Sequence, residues 1–406
     1  MQKEGLRMNG TADARHEGRV NGGRLGIVDL HTHPTLMSYM FGTKFWKTHH
    51  PPTWWCPWSM RVDLAALAAG GVNAFLCSTY VIERELFRDA WPLGIVTAAY
   101  SRAKHIATAP MDELTREYLD FAEEMAEATR RQHGDVVEIA RTFGDMQRIM
   151  GEGKMCMLHA IEGAHHLNGN IEMVDELAAR GVCHMIIPHL YPNPAGGCVN
   201  VFSKYRIGAA FGCFNPKYQD ASGLTPWGHE LVEKLLDVGI LADPTHGTRP
   251  FRKQVFDIVR AYPKKRPLIM SHVCISGDGP TEFGPEPDEI KAIADTGGVV
   301  GIMMFTHREG KRTKMSGVDY AMNAIAHLVR HGGEDVVAIG SDFDGTSDVA
   351  HDMRSPRDYQ RLREAILRKY SEDQAGKFMS RNAERTLQYG WGNGAAAVAE
   401  HEKNTR

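Results

Sequence analysis

The chain has 406 residues, with 47 basic and 50 acidic side chains and a formal net charge of −3 when histidine is neutral. Hydrophobic residues make up 43% of it and charged residues 24%, the composition of a globular protein. Because the charges nearly balance, no overall field attracts nucleic acid or an anionic membrane. No apolar run reaches the ~18 residues of a membrane span. The seven cysteines, an odd number, indicate a reducing compartment. We therefore expect a cytoplasmic protein whose partners include neither nucleic acid nor a membrane.

Both ends of the chain differ from its middle. Residues 1–23 are polar, rich in Gly and Arg, and lack the apolar core of a secretory signal. Residues 389–406 drift into Ala and charged residues. Neither segment offers enough apolar surface to offset the entropy that it would lose on ordering. The sequence therefore predicts two flexible tails around one folded domain over residues 24–388.

Between the tails, short apolar runs alternate with longer amphipathic segments. The runs are almost continuously hydrophobic, which is typical of parallel strands that are covered on both faces. There are eight: Leu25–Leu30, Val72–Tyr80, Met155–Ile161, Val182–Leu190, Ile240–Asp243, Pro267–Ser271, Gly298–Phe305 and Val336–Gly340. Several intervening segments begin at Pro or Asp and end at Gly, as helices do. Eight strand–helix units predict a (β/α)₈ TIM-type barrel, although the pattern alone also allows a doubly wound open sheet.

Side chains that bind metals or transfer protons follow six of the eight runs. In a TIM-type barrel the catalytic groups stand at the C-terminal ends of the strands, so we expect these side chains to meet at one face. They are His31 and His33 after the first run, Glu162 after the third, His189 after the fourth, His246 after the fifth, His272 after the sixth and Asp342 after the eighth. Runs two and seven end mainly in apolar residues, Ser or Thr.

The spacing of these residues indicates a metal site. His31 and His33 are two residues apart on extended chain, so both imidazoles point to one side and can bind a cation such as Zn²⁺; the alternative is a solvated turn. Glu162 is a candidate bridge between two metals, or a surface Glu in a turn. His246 and His272 are either ligands or buried core histidines, and their joint occurrence favours ligation. We favour Asp342 over Asp344, which better fits an Asx-turn.

Several stretches of the sequence resemble the membrane (renal) dipeptidase family of the amidohydrolase superfamily over roughly residues 25–388. They are Glu162-Gly163-Ala164-His165, Gly223-Leu224-Thr225-Pro226-Trp227-Gly228, the segment from Gly239 to His246, Ser271-His272, Gly297-Gly298-Val299-Val300, the segment from Ile339 to Gly345, and Arg381-Asn382-Ala383.

This resemblance implies a (β/α)₈ barrel with two zinc ions. By analogy, His31 and His33 bind one metal with the help of Asp342, and His246 and His272 hold the second. Glu162 bridges the two together with a water or hydroxide. His189 matches the histidine that contacts the substrate and the developing oxyanion in that family.

The chain departs from the family's pattern in two places. His33 stands where the family usually has Asp, which removes one negative charge. This leaves open whether the site holds one metal ion or two, and whether the metal is zinc or another divalent ion. The family also has an arginine shortly after the histidine that corresponds to His272 and uses it to grip the substrate carboxylate. Residues 273–286 here contain neither Arg nor Lys. Three basic residues follow run seven: Arg308, Lys311 and Arg312. They either replace the missing arginine or belong to a solvated loop.

Two loops that follow strands are expected over the same face. Residues 45–58 contain four of the seven tryptophans. They form either an aromatic wall for flat or apolar substrate groups or a loop that packs its own rings. The long segment from Tyr191 to Gly223 fits a lid or a contact between the subunits of a homodimer.

The sequence therefore predicts a metal-dependent hydrolase that cleaves an amide or peptide bond, in a dipeptide or a modified amino acid conjugate, with a metal-activated water. Asp342 is expected to act as general base and then acid, and His189 as the donor to the oxyanion. The same barrel also allows hydrolysis of a lactone or phosphoester, a metal-assisted decarboxylation or lyase reaction, or a non-catalytic metal-binding role.

Overall fold

Parallel strands form the centre of the structure, a computed structural model that describes residues 25–52, 56, 59–89, 94–95, 97–98, 100–199, 222–275, 283–305, 308–309, 313–346 and 349–392. The strands of this part of the chain are β1 (Ile27–Thr32), β2 (Val72–Thr79), β3 (Val137–Ala140), β4 (Met155–Glu162), β5 (His184–Ile186), β6 (Leu241–Asp243), β7 (Ile269–Val273), β8 (Val299–Ile302), β9 (Arg308–Glu309), β10 (Thr313–Lys314) and β11 (Val337–Ile339). β9 and β10 form a separate antiparallel pair.

Eight of these strands follow one another around a barrel in chain order. The hydrogen-bonded order is β6-β5-β4-β2-β1-β11-β8-β7, and all neighbours are parallel. The two end strands, β6 and β7, contact each other. The Asp243 carboxylate on β6 accepts a hydrogen bond of 2.9 Å from the Ser271 amide on β7. The sheet is thus a nearly closed barrel, which confirms the predicted TIM-type fold, and each predicted run overlaps one of its strands.

One strand of the main sheet, β3, was not among the predicted runs. It pairs with the first half of β4, from Met155 to Leu158, whereas β5 pairs with the second half, from Ala160 to Glu162. β4 is eight residues long and so takes both partners on one edge. Because β3 has only four residues, two of them half-buried, its hydrophobic signal in the sequence is weak.

Helices connect the strands. Those of the described residues are α1 (Pro34–Phe41), α2 (Leu64–Gly70), α3 (Arg84–Asp89), α4 (Ser101–Thr108), α5 (Met111–His133), α6 (Phe143–Gly151), α7 (Met173–Ala179), α8 (Pro226–Val238), α9 (Arg249–Ala261), α10 (Pro287–Asp295), α11 (Gly317–Gly332), α12 (Tyr359–Lys369), α13 (Glu372–Gly376) and α14 (Asn382–Gly390). α8 follows the predicted pattern of Pro at the start and Gly at the end: the Thr225 hydroxyl accepts from the Gly228 amide at the start, and Gly239 at φ 80° ends the helix.

The barrel strands are buried on both faces. One apolar cluster joins strand residues to the surrounding helices. A second cluster takes side chains from all around the barrel, including Val28, Leu76, Leu158 and Val299, and is therefore its interior. Among the described residues, no helix has both the length and the apolar stretch needed to cross a bilayer.

The folded part of the chain extends four residues beyond the predicted boundary at 388. α14 ends at Gly390, Trp391 is only 5% exposed, and the Gly392 amide donates to the Gly239 carbonyl at 2.7 Å. Trp391 packs with the interior cluster, so residues 389–392 belong to the barrel and not to the tail. Residues 1–24 and 393–406, and with them the rest of the two predicted tails, lie outside the described residues.

A buried ion pair supports the loop after β6, and its removal tests this packing. Arg252 donates to both carboxylate oxygens of Glu289, at 2.9 and 3.0 Å, and to the Gly247 carbonyl at 3.0 Å. Arg252→Met leaves the Glu289 carboxylate buried without its charged partner, so we expect the free energy of unfolding to fall by ~3–5 kcal/mol. Urea unfolding followed by circular dichroism measures this loss.

The neighbouring residue on α9 gives a matched control. Lys253 pairs with Asp257 on the exposed face, where their side chains are 74% and 56% exposed. Because solvent screens such a pair, Lys253→Met is expected to change the unfolding free energy by less than ~1 kcal/mol. Equal losses in the two variants would contradict a stabilising role of the buried pair.

Candidate functional site

The seven side chains predicted from the strand ends lie together at the C-terminal end of the barrel. His31 lies within β1, Glu162 ends β4 and His272 lies within β7, while the other four directly follow strands or lie one short loop further on: His33, His189, His246 and Asp342. All seven are buried, and the most exposed of them, Asp342, is only 8% exposed. The structure therefore gathers residues from six of the barrel strands around one point.

The Glu162 carboxylate lies at the centre of five imidazoles. Its Oε1 lies within 3.7 Å of the Nε2 atoms of four histidines: His31 at 3.2 Å, His189 at 3.4 Å, His246 at 3.6 Å and His272 at 3.7 Å. Its Oε2 lies 3.4 Å from Nε2 of His33. Burial by itself would raise the pKa of Glu162, but the surrounding histidines hold it well below its usual range.

The Asp342 carboxylate extends the cluster on one side. Its Oδ1 is 3.3 Å from Nε2 of His33 and 3.7 Å from Nε2 of His31. Burial would lower the pKa of His33, but the two carboxylates Glu162 and Asp342 raise it. His33 thus lies between both acidic residues.

The donor set fits a divalent metal ion. Nε2 of His31 faces Nε2 of His33 at 2.9 Å, and Nε2 of His246 faces Nε2 of His272 at the same distance. Within the described ranges, the ion-pair partners of Glu162 and Asp342 are all histidines, so no Lys or Arg neutralises these two carboxylates there. Imidazole nitrogen and carboxylate oxygen are ligands that Zn²⁺ and similar metals prefer.

Three overlapping groups of these residues bring their ligand atoms within 4.8 Å of one another: His31, Glu162 and His272; His31, His33 and Asp342; Glu162, His189 and His246. Every member of each group is buried. Glu162 and His31 are each shared by two of the groups, so the three groups form one continuous cluster.

Two buried aspartates hold the strand ends that carry these histidines. Asp29 Oδ1 accepts from the amides of His31 at 3.2 Å and of Ser341 at 2.9 Å, and so joins the end of β1 to the residue that precedes Asp342. On the other side of the barrel, Asp243 accepts from the amides of Thr245 at 2.7 Å and of Ser271 at 2.9 Å. Neither residue is among the site residues predicted from the sequence, although each precedes a site histidine by two or three positions.

The backbone is strained at two of the site residues. His246 has φ 70° and Asp342 has φ 58°, in the left-handed region that most non-glycine residues avoid. Neighbouring segments hold both conformations: the Val199 amide donates to the His246 carbonyl at 2.7 Å, and the Asp342 amide donates to the His31 carbonyl at 3.0 Å. Such strain costs of the order of 1 kcal/mol or more per residue and concentrates at functional sites.

Asp344, two residues after Asp342, faces away from the histidines. Its carboxylate accepts from the amides of Arg61, at 2.8 Å, and Val62, at 2.9 Å. These bonds attach the segment before α2 to the end of β11, which is a structural role.

Sequence reasoning missed one buried acid at the site, Glu83. Its Oε1 lies 2.7 Å from Nδ1 of His189, and its Oε2 accepts from the Tyr80 hydroxyl at 2.7 Å. Burial would lower the pKa of His189, but Glu162 and Glu83 raise it to about 9. Burial would likewise raise the pKa of Glu83, but His189 lowers it to about 2. Glu83 comes four residues after β2 ends at Thr79, so its position in the sequence does not mark it as a strand-end ligand.

Several loop residues considered from the sequence lie outside the described part of the chain. These are Trp54, Trp55 and Trp58 of the aromatic loop, residues 200–221 of the long segment after β5, Lys311 and Arg312, and the side chain of Arg308. Of the aromatic loop, Phe45 is fully buried and packs in the cluster between strands and helices, with its ring 6.2 Å from that of Phe75. Phe45 is therefore a core residue and not part of a substrate wall.

Comparison with known proteins gives a consistent picture. A model of the membrane dipeptidase family (peptidase family M19) matches residues 27–390. Dipeptidase tcpJ of Claviceps purpurea (strain 20.1) is 22% identical over 332 residues, which are 80% of this chain and 68% of that protein.

Two solved structures show a similar fold. A metallopeptidase from Rhodobacter sphaeroides, liganded with a phosphinate mimic of the dipeptide L-Ala-D-Ala, has a TM-score of 0.71 at 18% identity over 90% of this chain and 99% of that one. The probable dipeptidase PvdM from Pseudomonas aeruginosa has a TM-score of 0.69 at 17% identity, over 93% of this chain and 98% of that one.

Removal of divalent metal tests the interpretation of the cluster. A metal that binds the folded state holds Glu162 and Asp342 together with their histidines, so chelation is expected to lower the melting temperature, and added Zn²⁺ to restore it. A metal present at ~1,000 times its Kd adds about 4 kcal/mol of stability. Differential scanning calorimetry with and without chelator measures the shift. An unchanged melting temperature in protein shown by elemental analysis to have lost its metal would contradict this interpretation.

Proposed function

This chain belongs to the membrane dipeptidase family, and from that premise we propose that the cluster around Glu162 is the active site with which it hydrolyses dipeptides or modified amino acid conjugates. The family match over residues 27–390 bears out the metal-dependent, dipeptidase-like hydrolase that the sequence predicts. The observation that carries the assignment of the site is the Glu162 carboxylate, which lies 3.2–3.7 Å from Nε2 of five buried histidines.

Six residues are proposed to hold two zinc ions. His31, His33 and Asp342 would bind one ion, His246 and His272 the other, and Glu162 would stand between them. The two close imidazole pairs and the shared position of Glu162 support this division. When bound, divalent ions at such a site lower the pKa of a water molecule and polarise the carbonyl of the scissile bond. His33 supplies a neutral ligand and so leaves the site less negative than a carboxylate would.

Asp342 is proposed as the proton carrier. Its side chain is 11% exposed against 3% for Glu162, so of the two site carboxylates it faces the open end of the barrel more. From there it would accept the proton of the attacking water and deliver it to the leaving nitrogen of the substrate. A carboxylate held rigidly after β11 suits both transfers, because the donor and acceptor atoms stay in place between them.

His189 is proposed as the donor that stabilises the oxyanion of the tetrahedral intermediate. Its Nε2 reaches the centre of the site, 3.4 Å from Glu162 Oε1, while its Nδ1 is bound to Glu83. Donating from Nε2 while Nδ1 is bound to the Glu83 carboxylate requires a proton on both nitrogens, and Glu162 and Glu83 raise the pKa of the ring against the effect of burial. A preorganised donor of this kind stabilises developing negative charge strongly in a buried site.

A dipeptide or a related conjugate is the proposed substrate class. The similarity to a metallopeptidase liganded with a dipeptide mimic supports this class. Because residues 273–286 contain neither Arg nor Lys, conjugates without a free carboxylate belong to the same proposal. The homodimer, the cytoplasmic location and the role of the basic residues after β8 stay predictions.

A substrate panel tests the proposed reaction. Purified protein loaded with Zn²⁺ is expected to release free amino acids from dipeptides or their conjugates, with product measured by chromatography. N-acyl amino acids in the same assay test the conjugates, whereas lactones and phosphotriesters test other hydrolyses that the barrel allows. Turnover of lactones or phosphotriesters without any cleavage of a C–N bond would contradict the proposal.

Two isosteric substitutions separate the roles of the carboxylates. Asp342→Asn is expected to keep the metal but to lower kcat at least ~100-fold, because the amide cannot accept the proton. Glu162→Gln is expected to lose metal as well as activity. Elemental analysis measures the metal content, for which we expect two zinc equivalents in the unaltered protein. Steady-state kinetics measure kcat. Asp257→Asn on the exposed face of α9 is the control and should change neither. An active Asp342→Asn protein would refute the proton transfer.

A further inference from the structure

The segment that follows β2 places a second carboxylate behind the proposed oxyanion donor. We propose that Glu83 is a positioning residue that holds the His189 ring, and the backbone after it, in the orientation needed for the reaction. The inference rests on the function proposed above for His189, and it assigns to Glu83 and Tyr80 a part in catalysis through that histidine.

Glu83 binds both the ring and the main chain at His189. Its Oε1 lies 2.7 Å from His189 Nδ1 and accepts from the Leu190 amide at 3.2 Å. One bond sets the direction of the ring nitrogen Nδ1, and the other ties the backbone at Leu190 to the same carboxylate oxygen. The opposite ring nitrogen, Nε2, then points at the centre of the site, 3.4 Å from Glu162 Oε1. Partners on the far nitrogen of a site histidine fix its orientation in this way.

Tyr80 holds the other side of the Glu83 carboxylate. Its hydroxyl donates to Glu83 Oε2 at 2.7 Å, and its ring meets the His189 ring edge to face, with centroids 4.6 Å apart and planes at 66°. Tyr80, Glu83 and His189 are all buried, at 8%, 3% and 5% exposure. The carboxylate is therefore bonded through both oxygens and has no freedom to turn away from the histidine.

A pair of adjacent histidines fixes the segment that carries Glu83. The Val81 amide donates to Nε2 of His166 at 3.1 Å, and Nε2 of His165 donates to the Val81 carbonyl at 2.8 Å. Because Nε2 of His166 accepts, its proton is on Nδ1, which lies 2.7 Å from the Thr115 hydroxyl. The loop after β4 thus binds the loop after β2 through both backbone groups of one residue. This arrangement places a buried anion accurately beside His189.

A purely structural role would use the same contacts but would have a different consequence. Burying a carboxylate is unfavourable unless charged or polar groups compensate it, and a hydrophobic residue could fill the space without that cost. If Glu83 only stabilised the fold, its loss would affect catalysis equally whether or not His189 is present. If it acts through His189, its loss has no effect once His189 is gone.

A double-mutant cycle measures this difference in the metal-loaded full-length protein. Glu83→Ala is expected to lower kcat ~10–100-fold, with little change in KM and in metal content. In the His189→Ala background the same change is expected to have no further effect on kcat. Glu83→Gln is expected to retain much of the activity, because its amide oxygen still accepts from Nδ1–H of His189. It replaces the alanine variant in the test if that variant folds poorly. Additive losses in the cycle would overturn the inference.

Another Tyr–Glu–His group in the same chain is the matched control. The Glu117 carboxylate accepts from the Tyr39 hydroxyl at 2.8 Å and lies 2.9 Å from Nε2 of His105, but its side chain is 42% exposed and contacts no proposed site residue among those described. Glu117→Ala is expected to leave kcat unchanged. A loss equal to that of Glu83→Ala would point to a general effect on the fold and would overturn the inference.

A spectroscopic readout keeps this test separate from the proposed function. In protein labelled with ¹⁵N-histidine, the His189 Nδ1 proton is expected to give a protected downfield resonance that Glu83→Gln keeps and Glu83→Ala loses. A resonance that persists in Glu83→Ala would overturn the inference even if no substrate were turned over. Protein that shows the expected resonances but hydrolyses no member of the panel would instead refute the proposed function.

Discussion

The concentration of charge around Glu162 is the constraint on which the site depends. A carboxylate buried at the end of a barrel strand is unfavourable in a medium of low dielectric unless opposite charge or several donors surround it. Here five imidazoles do so, and a second carboxylate, Asp342, lies on their far side. A divalent metal bound among these nitrogen and oxygen atoms would balance the two buried negative charges.

The barrel provides the rigidity that such a site needs. Each proposed ligand lies in a buried strand or shortly after one, and Asp29 and Asp243 connect neighbouring strand ends through their side chains. Asp243 does so at β6 and β7, where the hydrogen-bonded order of the sheet ends. The left-handed conformations of His246 and Asp342 are stable because hydrogen bonds from other segments hold them. The cost of strain at the site is therefore offset by the packing of the fold.

The proposed site combines ligands that the family resemblance implies with features of this chain. In it, His33 takes the place of a carboxylate and lies between Glu162 and Asp342. A neutral ligand there would reduce the negative charge near a bound metal, which would strengthen the polarisation of a bound carbonyl and weaken the attraction for the metal itself. The absence of a basic residue from 273–286 removes one means of binding a free carboxylate. Both differences concern substrate and metal preference and leave the architecture intact.

The eight barrel strands, and the seven polar side chains at the ends of six of them, could be predicted from the sequence because each depends on local information. A strand buried on both faces requires a continuous apolar run, and a residue that directly follows such a run must lie at the end of the barrel. How those residues are supported became apparent only in the folded chain. Glu83 reaches His189 because His165 and His166 bind the loop at Val81. Asp344 faces Arg61 across a separation of 283 residues. Such contacts arise from the pairing of distant segments, which no local pattern of the chain records.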